Sequence, residues 1–228
     1  MIANVGHWRP LADGIIPSPI ACSLDLSSAD LCPNNCYFCN VKKTQLNGGH
    51  MTDETFAQVI EIFKQQKVKS CCIAGGGESL ANPRCERYFR EIVDAGTDIG
   101  IITNGRFYRK LPEECRFVNV SINAASRIEY RLMSGRDEFE NVLANINRWA
   151  KSGHYVTYKV MITDRNKRPS LLTDSVKMAS NLGASAVLFR FAMLPWNLVG
   201  TQDEYVGLSD EEADLYEASI GVLRKHYP

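Results

Sequence analysis

The sequence predicts an α/β protein, a partial (β/α)6 TIM-type barrel with a parallel sheet inside and helices outside. Three observations carry that reading. Short β-rich runs alternate six times with helical patterns, as right-handed βαβ units do. No Pro/Gly/Ser-rich linker or low-complexity tract interrupts the series, so the chain reads as one domain. Polar residues recur at period two in the strands, which gives the sheet one polar and one apolar face.

The β-rich runs are Ile20–Leu26, Ser70–Ala74, Asp98–Thr103, Phe117–Asn123, Tyr155–Thr163 and Ala186–Phe191. Between them, Phe56, Val59, Ile60 and Phe63 follow the i, i+3, i+4, i+7 spacing of one buried helix face, and Phe139, Val142, Leu143 and Ile146 repeat it. Segments Arg84–Ala95 and Ser170–Leu182 are also helical, and Gly96 and Gly183 follow them as C-caps tend to. A last helix opens with the capping box Ser209/Glu212 and carries Tyr216, Ile220, Leu223 and Tyr227 on one side. We divide the chain into an extension (1–19), a barrel (20–194) and a closing loop and helix (195–228). Six units fall short of the eight that close a full barrel.

Within the strands, Ser23, Asp25, Asn119, Ser121, Asn123, Thr157, Lys159 and Arg190 alternate with apolar partners such as Val118, Val120, Ile122, Val156, Tyr158 and Val160. The apolar set belongs under the helices, which leaves a wet, polar-lined concave face. A doubly wound sheet with its polar residues at exposed strand ends is the alternative the same pattern leaves open.

The chain has 228 residues, and its 26 Lys+Arg balance its 26 Asp+Glu. A chain of this length buries a core without needing staples. Zero net charge gives no basic field for nucleic acid, although a local patch is invisible in the sum. No apolar run approaches the ~18 residues of a membrane span. The start, MIANVGHWRPLADG, lacks the layout of a signal peptide, so a cytoplasmic location is expected. Of the eight cysteines, Cys22, Cys71, Cys72, Cys85 and Cys115 are dispersed and read as small buried hydrophobes.

The other three form Cys32-Pro-Asn-Asn-Cys36-Tyr-Phe-Cys39, a C-x3-C-x2-C cluster directly after the first strand. Three thiolates so close can grip one metal centre. Structural zinc asks for four closed ligands, and an electron-carrying [4Fe–4S] cluster takes four Cys. Three Cys leave one iron open, and the four histidines (His7, His50, His154, His226) are scattered. His50 and His154 read as surface residues.

With these residues the chain resembles the radical S-adenosylmethionine (radical SAM) superfamily. Cys32, Cys36 and Cys39 match its cluster motif, with Phe38 as the aromatic residue before the last Cys. Gly75-Gly76-Gly77-Glu78 matches its Gly-Gly-Glu motif, and Ile102-Thr103-Asn104-Gly105 and Ser121-Ile122-Asn123-Ala124 end the third and fourth strands as in the family. Tyr130-Arg131 and Phe139–Leu143 resemble the stretch that follows. The resemblance implies a partial barrel, a [4Fe–4S] cluster on Cys32, Cys36 and Cys39, and S-adenosylmethionine chelated to the open iron. Reductive cleavage of that molecule gives methionine and a 5′-deoxyadenosyl radical, which abstracts hydrogen from a substrate; orientation and exclusion of side reactions are the protein's part.

Carried over, the resemblance puts Gly76, Gly77 and Glu78 at the methionine amino group, and Ser121 and Asn123 at ribose and carboxylate. Arg131 meets the carboxylate, and Asn104 belongs to the same cofactor site. Backbone around Phe38 and around Phe191, Met193 and Leu194 holds the adenine. Ser79 stands where the family commonly has Pro, which loosens the turn after Glu78, and Asn123 stands where many members have Asp.

Lys159 and Arg190 are candidates for binding an anionic substrate group, or equally for pairing with Asp25. Trp196 and Asn197 follow the sixth strand, where barrel sites collect loop residues, and are candidate substrate contacts. Asn166, beyond the fifth strand, reaches the site or serves a turn. The absence of a second cysteine cluster after Cys115 predicts a core without an auxiliary-cluster domain.

The substrate expected is a peptide or protein side chain. A small molecule or nucleotide-derived compound, as in 7-carboxy-7-deazaguanine synthase, and glycyl-radical activation are the alternatives. The partner expected is an electron donor such as flavodoxin or ferredoxin, with neither membrane nor nucleic acid indicated. Two readings of other classes compete: an iron–sulfur electron carrier whose fourth ligand is Cys22 or Cys85, and a zinc-stabilised binding module.

Overall fold

The computed structural model describes residues 21–39, 41, 48–168, 170–192 and 209–226. Six strands, β1 (Ala21–Leu24), β2 (Ser70–Ile73), β3 (Asp98–Thr103), β4 (Cys115–Ser121), β5 (Val156–Ile162) and β6 (Ala186–Phe191), form one sheet. All neighbours are parallel and the spatial order is the chain order, β1 to β6. A doubly wound sheet reverses direction at a switch point. This one never does, so the chain winds one way, as in a barrel wall.

Helices α1 (Asp53–Gln66), α2 (Cys85–Asp94), α3 (Arg127–Ser134), α4 (Phe139–Lys151), α5 (Leu171–Asn181) and α6 (Asp210–His226) accompany the strands. Val118, Val120, Ile122, Val156, Tyr158 and Val160 are all buried, while Asn119, Ser121 and Lys159 stand partly open on the opposite face. The period-two alternation therefore sorts most of these residues as the sequence predicts, but Thr157 and Asn123, expected on the wet face, are buried. Each fully buried aliphatic side chain of this core contributes roughly 1.5–3 kcal/mol.

Thr52 caps α1 by accepting the N–H of Thr55 at 3.3 Å. Ser209 and Glu212 form the predicted reciprocal cap on α6, at 3.0 and 3.3 Å. Gly96 and Gly183 take φ 81° and 76° just past α2 and α5, as a helix C-cap requires.

Three expectations need correcting. The alternation is not strict: residues 104–114 join β3 to β4 without a helix, and two helices, α3 and α4, follow β4 instead. Trp149 of α4 helps to fill that place, its indole N–H on the Arg109 carbonyl at 3.0 Å and its ring 5.7 Å from Tyr108. Cys72 is not core; in register with Ser23, it lies partly open on the polar face, whereas Cys71 is buried. His50 and His154 are half-buried, and His50 Nδ1 lies 2.9 Å from Ser27 Oγ.

Candidate active site

The cysteine loop begins with a single 3-10 turn, Ala29–Leu31, closed by the Cys32 N–H on the Ala29 carbonyl at 3.2 Å. From there it leaves β1 and is bonded to the loop after β3, to the end of α3 and the turn that follows it, and to the loop after β5. Arg106 and Arg136 both donate to the Pro33 carbonyl, at 3.0 and 2.6 Å. The Asn35 N–H donates to the Ser134 carbonyl at 2.7 Å. The Tyr37 hydroxyl lies 2.5 Å from Thr163 Oγ1 and 2.8 Å from Asp164 Oδ1, with the Arg165 guanidinium 3.8 Å from its ring centre. Burial pushes the Tyr37 phenol up to about 12, so it is protonated at neutral pH. Nothing in the spacing of the three cysteines reveals these anchors.

The Gly-Gly-Gly-Glu run packs against the residues that lead into this loop. A Cβ on Gly77 would sit 2.1 Å from the Ser28 carbonyl oxygen, and one on Gly75 would sit 1.9 Å from Asp25 Oδ1. Close backbone approach is the physical reason for glycine at both positions. Asp25 Oδ2 accepts the Gly76 N–H at 2.8 Å, so Asp25 holds the glycine run and does not pair with Lys159 or Arg190. Ser79 also corrects an expectation. Its hydroxyl accepts from the Leu26 N–H at 3.3 Å and donates to the Ala74 carbonyl at 3.1 Å, so it ties the turn that a missing proline was expected to loosen.

Glu78 is 2% exposed and its carboxylate is shared among protein donors. Oε1 accepts from the Thr103 hydroxyl at 2.7 Å and the Leu80 N–H at 3.1 Å, and Oε2 accepts from the Asn104 N–H at 2.7 Å. Burial raises its pKa against these bonds. In this structure the side chain couples the end of β2 to the end of β3. Asn104 in turn places its side-chain amide nitrogen 3.8 Å from Cys32 Sγ.

Asn123 has φ 58°, a left-handed conformation that Asn tolerates better than most residues. Its Oδ1 accepts the Met161 N–H at 2.9 Å, and Asn166 Nδ2 donates to its carbonyl at 3.1 Å, so both asparagines serve the junction of β4 and β5. Ser121 lies beside Lys159 on the polar face. Arg131 is exposed on α3, and Phe191 packs edge-on against Tyr216 at 6.2 Å. The Phe191 ring therefore points to the helix side, and a cofactor contact there falls to its backbone. Met193, Leu194, Trp196 and Asn197 lie outside the described residues.

Lys159 and Arg190 approach across β5 and β6, since Lys159 pairs with Leu188 and Met161 with Arg190. Among the described residues neither forms an ion pair. Burial, and then the neighbouring Arg190 charge, hold the Lys159 ammonium below the usual lysine range.

The residues present suit an iron–sulfur cluster. No group of three or more His, Cys, Asp or Glu among the described residues is placed to hold a single ion. A cluster of four irons takes each thiolate on a different iron, so its ligands need not converge on one point. The Tyr130 hydroxyl is buried, which raises its pKa, and the Ser134, Arg106, Asn34 and Cys36 groups that also act on it mark it as a neighbour of the loop. Cations that contact the loop, Arg136, Arg165 and Arg106 (which also pairs with Glu138 at 3.3 Å), oppose the negative charge that three thiolates bring. None of the eight cysteines is in a disulfide. The two proposed fourth ligands are elsewhere: Cys85 is in the core with its thiol pushed up to about 11 by burial, and Cys22 packs against the core with its thiol raised in the same way.

A family model for the radical SAM superfamily matches residues 26–167, more than half of the chain. The chain belongs to the radical SAM superfamily. Enzymes of this family use a [4Fe–4S] cluster and S-adenosylmethionine. Among curated relatives, the chain is similar to a probable GTP 3′,8-cyclase of Pyrococcus abyssi, at 24% identity over 71% of this chain and 54% of that protein. A probable GTP 3′,8-cyclase of Saccharolobus islandicus matches at 22% identity over 78% and 56%. The chain thus spans about half the length of the curated relatives it matches.

In fold it is similar to Streptococcus suis SuiB bound to S-adenosylmethionine, with TM-score 0.72 and 11% identity over 96% of this chain and 51% of that one. It is also similar to anSMEcpe with bound AdoMet, with TM-score 0.65 and 15% identity over 85% and 57%. Among the described residues no helix is long and apolar enough to cross a membrane.

Proposed function

We propose that this radical SAM chain acts on a substrate carrying an anionic group, of the nucleotide class. The observation that carries the reading is the Lys159/Arg190 pair on the polar face, two cations side by side without a carboxylate partner among the described residues. Holding two like charges together costs energy, and an anion bound between them recovers it. The similarity to proteins named GTP 3′,8-cyclase supports a nucleotide. A peptide is the second reading, supported by the fold shared with SuiB, one structure of which is bound to its precursor peptide SuiA. A neutral peptide backbone offers the two cations carbonyl acceptors but no counter-charge.

In this proposal Cys32, Cys36 and Cys39 hold the cluster, and an electron donor of the flavodoxin or ferredoxin kind reduces it. The cluster and S-adenosylmethionine supply a 5′-deoxyadenosyl radical; everything else falls to the chain. Backbone at Gly76 and Gly77 meets the methionine amino group, Ser121 faces the ribose, and Asn123 retains a side-chain N–H₂ for the same region. Glu78 orders this mouth from beneath. Arg131 reaches the methionine carboxylate only by turning in from the surface. Lys159 and Arg190 orient the substrate by its charge.

The test is anaerobic reconstitution followed by reduction with S-adenosylmethionine, with GTP or a neutral peptide present, and assay of 5′-deoxyadenosine. The proposal expects product that disappears in Cys36→Ala and rises with GTP. Stimulation by the peptide alone refutes the nucleotide reading. A colourless protein that holds zinc refutes the cluster.

A further inference from the structure

We infer that the Asn104 side chain is a hydrogen-bond donor to the Cys32 thiolate and that it raises the reduction potential of the cluster held by Cys32, Cys36 and Cys39. This rests on the cluster reading proposed above. Asn104 acts through Cys32, as a positioning residue.

The amide has one favourable orientation. Its Oδ1 accepts the backbone N–H of Arg106 at 3.0 Å, which leaves Nδ2 for Cys32 Sγ at 3.8 Å. Turning the amide over would set two donors against each other at Arg106 and a carbonyl against a thiolate at Cys32. The backbone beneath it is equally fixed. The Asn104 N–H ends on Glu78 Oε2, the Thr103 hydroxyl ends on Oε1 of the same carboxylate, and the Gly105 N–H donates to Thr103 Oγ1 at 3.0 Å. Buried Glu78 thus sets where the donor points. A chain of bonds runs from the glycine loop, through one carboxylate, to a cluster ligand.

The sign of the effect follows from charge. Adding one electron makes the cluster and its sulfur ligands more negative. An N–H dipole aimed at a ligand sulfur stabilises the reduced form more than the oxidised one, so the potential rises. In a partly desolvated site the dipole acts with less screening than in water. The guanidinium groups beside the same loop, those of Arg106 and Arg136, donate to the Pro33 carbonyl and not to Asn104; only the Arg106 backbone N–H rests on Asn104 Oδ1.

The test replaces Asn104 by Leu, which keeps the volume and removes both the donor to Cys32 and the acceptor of the Arg106 N–H, and measures the one-electron midpoint potential of the reconstituted cluster. The titration is followed by electron paramagnetic resonance, without substrate or S-adenosylmethionine. Iron content should match the unaltered protein. The oxidised-to-reduced ratio at a fixed potential should rise about tenfold, equivalent to about 59 mV toward negative values. In case Asn104→Leu does not fold, the unaltered protein labelled with 15N-asparagine gives a second readout, a weak 15N coupling to the reduced cluster. A full cluster with an unchanged potential, or no 15N coupling, overturns the role of Asn104 and leaves the cluster standing. Failure of the unaltered protein to assemble a cluster overturns both.

Discussion

Beyond the ends of β2 and β3 the polar side chains of Glu78 and Thr103 are bonded to each other, whereas on the polar face of β5 and β6 two cations, Lys159 and Arg190, stand without an ion pair among the described residues. On the first side Glu78 takes bonds from Thr103 and Asn104, Ser79 from Leu26 while donating to Ala74, and Asp25 from Gly76. On the second, Lys159 and Arg190 share a face without a counter-charge among the described residues. The difference separates two uses of polarity. A saturated buried group fixes geometry and is felt as stability, while a charge kept from its counter-ion is a place for a ligand.

The largest effect that would break this comparison is at Gly77. A methyl group there meets two backbone carbonyls, at 2.1 and 2.6 Å, and neither can move without the cysteine loop. Gly77→Ala is expected to cost about 3 kcal/mol or more, read as a fall in Tm, with loss of cluster assembly. A Tm within a degree of the parent would show that the loop is pliable. Glu78→Gln comes next. It puts an N–H₂ opposite a buried N–H donor, for about 1–3 kcal/mol of lost stability by denaturant titration. No loss would mean that the carboxylate is free to serve a ligand.

On the other side the signs reverse. The double replacement of Lys159 and Arg190 by Met should leave Tm unchanged or slightly higher, because it removes two like charges. It should weaken GTP binding at least tenfold, about 1.4 kcal/mol, by calorimetry. Equal loss of Tm and affinity would make the pair structural. Lys159 also gives a pH dependence. Its pKa is depressed, so as pH rises it loses its proton below the ordinary lysine value of about 10.4, and anion affinity should begin to fall there. The same sign makes its contribution to folding stability grow with pH over that window. An affinity flat to pH 10 would remove Lys159 from the site. Ser79→Ala is the smallest change expected, about 1 kcal/mol for two hydrogen bonds, read as a small fall in Tm.

Much of this molecule was legible in its sequence, and the misses have physical reasons. β3 and β6 match the expected residues, β3 because Gly96-Thr97 before it and Asn104-Gly105 after it bound its apolar run. The apolar spacing does not mark out helix α3, around Arg131, because its pattern is inverted: Ile128 is 81% exposed and Leu132 45%, while Glu129 and Tyr130 are buried. The three cysteines and the Gly-Gly-Glu run were visible as local motifs. Their supports were not, because Tyr37–Thr163 and Arg136–Pro33 join residues more than a hundred positions apart. Asp25 and Ser79 were visible as residues but misread in role. Alternation told which face Asp25 occupies, not which neighbour it meets, and only the turn shows that a hydroxyl can replace a proline.

The sequential order of the strands has a consequence for how the protein is made. Every strand pairs with the strand translated just before it, so no segment has to thread back into a gap between older ones. Each parallel pairing still spans a crossover, as between Ala21 and Ser70, so the sheet grows by one neighbour at a time. The glycine loop, Glu78 and Asn104 all lie in the first half of the chain. A nascent chain can therefore close this polar lattice beneath the cysteine loop before β5 and β6 leave the ribosome.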